Sequence, residues 1–81
     1  MNRLHPPYGH PLPGEGLAKL PAVMCATGLS RSTIYARVKA GEFPHPVKLG
    51  ERAVAWPVQA IRSWIEQRIQ ASESAHAASK R

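Results

Sequence analysis

The side chains best suited to chemistry crowd into one stretch, "TGLSRSTIYARVKAGEFP", residues 27–44. Arg31, Ser32, Thr33, Tyr35, Arg37 and Lys39 fall there, and no acid stands between Glu15 and Glu42. These groups hold phosphates and base edges better than they make or break bonds. An arginine fork fits guanine O6 and N7, and serine or threonine hydroxyls donate to a phosphate or a base edge. Tyr35 offers a ring for a thymine methyl or a sugar and a hydroxyl for phosphate. Arg37 and Lys39, farther along, suit phosphate. A merely solvated helix face would carry the same residue types but would interleave the signs of charge, which this stretch does not do. A second pair, Lys48 and Arg52, flanks Gly50 and Glu51. There the choice is between an ordinary exposed hairpin and a tip that approaches the backbone or minor groove of a duplex, where arginine is favoured.

Other chemistries find little material. The chain has no aspartate, and its five glutamates are scattered, so a paired-carboxylate or triad mechanism has no visible basis. His5, His10, His45 and His76 show no zinc-ligand spacing with the one cysteine, Cys25. Cys25 reads as a small core residue, and alone it makes no intramolecular disulfide, which suits a reducing cytoplasm. The expectation is a protein that is not an enzyme, with no metal, cofactor or small-molecule ligand.

The net charge is +6, from eleven Lys and Arg against five Glu, and the pI is about 10.3. A domain pI above about 9 is the footprint of a nucleic-acid binder. Residues 17–71 hold eight cations and three acids, a net +5, so the excess lies in the folded part and not in a basic tail. No apolar run approaches the roughly 18 residues of a membrane span, and no signal pattern opens the chain. A cytoplasmic, nucleoid-associated location is expected.

The elements that must position these residues follow from local signals. Residues 1–16 contain four prolines and three glycines and read as a flexible arm. Residues 72–81 lack large apolar side chains and read as a disordered tail. Between them, residues 17–71 form the ordered domain. "LPAVMCATG" predicts a first helix, with Pro21 in its first turn and Gly28 at its end. "LSRSTIYARVKAG" predicts a second, capped by Ser30, facing inward with Ile34 and Val38, and closed by Gly41. Two helices this close together form a helix-turn-helix. "VKL" and "AVAW" predict a hairpin around Gly50-Glu51-Arg52. A third helix follows, with Pro57 in its first position and Val58, Ile61, Ile65 and Ile69 at helical spacing. The core is expected from Leu20, Val23, Leu29, Ile34, Val38, Phe43, Leu49, Val54, Trp56, Ile61, Trp64 and Ile65. The fold class is mostly α with a small β-hairpin, a winged helix-turn-helix with residues 47–56 as the wing.

"TGLSRSTIY", "GEFPHPVKLG", "RAVAW" and "SWIEQR", in this order and spacing, resemble the AlpA family of phage and prophage transcriptional regulators. That family is similar to excisionase-like and MerR-like winged helix-turn-helix proteins, and the resemblance covers about residues 17–69. Ala55-Trp56 stand where relatives carry Gly-Trp, Pro57-Val58 where they carry polar residues, and Ala36 where many carry a cation. The resemblance implies sequence-specific binding of double-stranded DNA near mobile-element genes. Either transcriptional regulation or an excisionase role beside an integrase would follow from it. Further partners would be a second copy on tandem or paired sites, an integrase or RNA polymerase. A protein-interaction module for an acidic partner is the reading from another class.

Overall fold

The computed structural model describes residues 12–79, with side chains as far as residue 74. Its elements run β1 (Leu17–Ala18), α1 (Leu20–Thr27), α2 (Arg31–Ala40), β2 (Val47–Lys48), β3 (Val54–Pro57) and α3 (Val58–Ser79). Helix, turn, helix, wing and closing helix appear in the expected order, so the fold is a small winged helix-turn-helix.

The helix ends are written in local chemistry. Pro21 occupies the first turn of α1, where a missing N–H costs nothing, and Gly28 closes that helix at φ 75°, its N–H donating to Met24 O at 2.8 Å. Thr27 Oγ1 then accepts from the Leu29 N–H at 3.2 Å and donates to Val23 O at 2.8 Å, which tightens the turn. Ser30 caps α2 by accepting from the Thr33 N–H. At the other end Gly41 takes φ 79°, and the Gly41 and Glu42 N–H groups donate to Val38 O and Arg37 O. That is a Schellman closure, and only glycine enters this left-handed conformation without a steric cost.

The wing carries three strands, not the two expected. β1 pairs antiparallel with β3, Leu17 opposite Pro57 and Ala18 opposite Trp56, giving the order β1-β3-β2. A strand of two residues has no periodicity to detect; it forms because β3 offers its free edge to the chain leaving Gly16 at φ 90°. The hairpin itself forms as expected, with Val47 opposite Ala55, Lys48 opposite Val54, and the Leu49 N–H donating to Ala53 O at 2.7 Å around Gly50-Glu51-Arg52.

The core consists of Ala18, Ala22, Val23, Ile34, Phe43, Trp56, Val58 and Ile61, with Leu20, Met24, Leu29, Val38, Val54, Trp64 and Ile65 packed around it. Leu49 does not join it and is 49% exposed. It stands at the tip of the hairpin, where its N–H meets Ala53 O, and Val47 and Lys48 beside it are exposed as well.

Three boundaries also differ from the expected ones. Pro57 closes β3, and Val58 opens α3 with its N–H donating to Gly16 O at 2.9 Å. The end of the expected arm is tied down, for Leu12 packs on the core and Pro13 O accepts from Arg62 Nη2 at 3.0 Å. Residues 1–11 of that arm lie outside the described residues. Finally, α3 continues through Ser79, past residue 71 where fraying was expected. Glu73, Ala75, Ala77 and Ala78 keep helix propensity high in that stretch.

Trp56 is fully buried, and its Nε1–H donates to Pro44 O at 2.8 Å. Trp56→Phe removes that donor and leaves a void, and should cost about 2 kcal/mol, read as a lower urea midpoint at unchanged slope.

Candidate nucleic-acid interface

Helix α2 is amphipathic by a narrow margin. Residues four apart form rows along a helix. The inner row is Ser30, Ile34 and Val38, with Ile34 completely buried. One neighbouring row is Arg31, Tyr35 and Lys39, all three exposed; the other is Thr33 and Arg37, both half-buried. The outermost row is Ser32, Ala36 and Ala40, small and exposed. The outward face thus combines a low ridge, over which a backbone or a groove floor can approach closely, with a cationic, hydroxyl-bearing flank.

The structure brings some expected side chains together and draws others away. Arg31, Tyr35 and Lys39 share the flank that leans on the wing, because the Tyr35 ring lies 6.1 Å from Trp56 of β3 at an interplanar angle of 57°. Tyr35 is 39% exposed, so its ring links α2 to β3 while part of its surface is available outward. Thr33 is partly committed, since Ser30 donates to Thr33 Oγ1 at 2.9 Å in the cap; its own hydroxyl proton remains to donate. Arg37 is drawn to Glu42, its Nη1 standing 4.0 Å from Glu42 Oε1. Lys48 lies on β2, and Arg52 sits in the loop between the strands, both exposed.

Behind α2, a clamp sets its position relative to α3. Trp64 Nε1–H donates to Glu42 O at 3.0 Å, the Phe43 ring meets Trp64 edge-on at 4.8 Å, and the Arg68 guanidinium lies 5.9 Å above the Trp64 ring. These residues, with Gly41, Pro44, Ala60, Ser63 and Gln67, line an open groove of about 530 Å³. The contact between Glu42 and Arg37 escaped the sequence reading. Its signal was present: a Schellman glycine turns the chain back, which returns the next residue to the last helical turn.

Cys25 is half-buried on α1, and among the described residues no three histidine, cysteine or acidic side chains gather as metal ligands. No helix among the described residues is long and apolar enough to cross a membrane.

A compact helix-turn-helix, a three-stranded wing and an outward helix bearing cations and hydroxyls define a small winged helix-turn-helix protein. The chain belongs to the AlpA family, described as the prophage CP4-57 regulatory protein, whose family model matches residues 16–69. It is also 45% identical over 62 residues to a protein of Enterobacteria phage P4 named "Uncharacterized protein ORF88", a match spanning 73% of this chain and 70% of the phage protein. No solved structure matches the chain.

Because the Ser30 hydroxyl serves both the Thr33 N–H and the Thr33 hydroxyl, Ser30→Ala should lower stability by about 1 kcal/mol and Ser30→Gly by less. Thermal unfolding of the two variants checks the order.

Proposed function

We propose that the protein is a sequence-specific double-stranded-DNA-binding regulator of a phage or another mobile element. The observation that carries this reading is the acid-free, hydroxyl- and cation-bearing face of α2, presented outward on a helix-turn-helix. Membership of a regulatory phage family supports it. Residues 17–71 form the binding unit, acting without chemistry on the DNA.

In this reading α2 enters the major groove with its N-terminal turn foremost. Arg31 reads a guanine through its fork, and Ser32, Thr33 and Tyr35 contact base edges and flanking phosphates. Lys39 holds phosphate. The small row of Ser32, Ala36 and Ala40 lets the helix axis sit close to the groove floor. Lys48 and Arg52 reach the backbone or minor groove beside it, and Trp56 keeps wing and helix in one frame through Tyr35.

Selection of bound duplexes from a random pool, followed by mapping of the winning site onto the source genome, tests the assignment. A site beside a promoter supports the regulator, a site in an attachment region supports an excisionase working with an integrase, and failure to enrich any duplex overturns both. If about four to six cations meet phosphates, log K against log[salt] should slope near −4 to −5. A flat slope, or no preference for any duplex, would overturn the DNA reading. Arg31→Ala should cost about 1–3 kcal/mol on the selected site and relax the preference at one base pair. Equal weakening on all sequences would make Arg31 a phosphate contact.

A further inference from the structure

We infer that Glu42 is a specificity determinant: by engaging Arg37 it removes one flank of α2 from phosphate binding, so that arbitrary duplexes are held less well than the cognate site. The inference rests on the DNA-binding reading and adds to it a residue outside the reading face.

Glu42 is fixed by its backbone. Its N–H donates to Arg37 O at 2.8 Å, and its carbonyl accepts from Trp64 Nε1 at 3.0 Å. The carboxylate therefore starts from one place, next to the last turn of α2, and Oε1 stands 4.0 Å from Arg37 Nη1. Both side chains remain in contact with water, 39% and 65% exposed, so the pair adds little to stability. Its effect is on the potential around the helix. The Thr33–Arg37 flank, with Glu42 beside it, sums to zero charge, whereas the Arg31–Tyr35–Lys39 flank carries two cations.

Binding to arbitrary DNA is almost wholly electrostatic and samples many orientations of a basic surface, while a cognate complex is fixed by base contacts. A neutralised Arg37 flank removes a family of orientations that never place Arg31 on a base edge. It also leaves a carboxylate where phosphate would otherwise approach. The cognate orientation loses less, because its contacts lie on the other flank and on the wing.

Glu42→Gln tests this. The amide keeps the size of the side chain and both backbone bonds, and an unchanged melting temperature verifies the fold. Affinity for a random-sequence duplex should rise about threefold to tenfold, with the salt slope steeper by about 0.9, one further phosphate contact. Affinity for the selected duplex should rise by less, so the specificity ratio falls. Arg37→Gln in the wild-type background should leave selected-site affinity within about twofold, and Arg37→Gln with Glu42→Gln should abolish the gain. Glu42→Gln that leaves random-duplex binding and slope unchanged, or strengthens both duplexes by one factor, overturns the inference while wild-type binding stands. Absence of wild-type binding to any duplex overturns the DNA reading and this inference together.

Discussion

The architecture depends on one side chain, Trp56. It is fully buried, its strand pairs with β1 on one edge and β2 on the other, and its indole N–H holds the Pro44 carbonyl where the chain passes from α2 into the wing. Its ring also meets Tyr35 on α2. A domain this small buries too little surface to position two separate elements by bulk hydrophobicity. A large aromatic with one polar handle can touch both elements and still satisfy its only donor. Trp56 thus touches both the outward helix and the joint into the wing, within a core that Ile34 and Phe43 share.

Trp64 plays the matching part on the opposite side. Its indole N–H takes the Glu42 carbonyl, and its ring receives Phe43 and lies beneath Arg68. Two tryptophans thus hold the Glu42–Pro44 connection from both sides. Pro44 has no N–H of its own, so this segment needs partners mainly for its carbonyls, and the two indoles supply them. The "GEFP" stretch ends α2 and also acts as the joint between that helix, the wing and the closing helix.

What was legible in the sequence was whatever rests on local chemistry. Ser30, Gly28, Gly41 and Pro21 mark helix ends through their own backbone preferences, and the loop Gly50-Glu51-Arg52 is marked by its flanking β-prone runs. What was not legible depended on partners distant in the chain. β1 has two residues and exists only because β3 offers an edge. Ala18, Ala22 and Ala55 are buried, although small side chains give a weak hydrophobic signal. Leu49 shows the converse, strongly apolar yet exposed, because it stands at the hairpin tip beyond the packed core. In the candidate site the residue types were legible, but their grouping into an Arg31–Tyr35–Lys39 flank leaning on the wing and an Arg37 flank facing Glu42 required the fold.

That grouping changes how the charge should be understood. A net charge of +6 attracts any polyanion and carries no sequence information. Discrimination requires that the attraction be spent in one orientation, and α2 has features that favour one: a row of small side chains outermost, cations with an aromatic on one flank, and a neutral pair on the other. The wing stands on the charged flank, linked through Tyr35 and Trp56. On the proposed DNA-binding reading, the acid that follows the helix would matter as much as the cations within it, since a helix equally basic all round would bind more tightly and distinguish less.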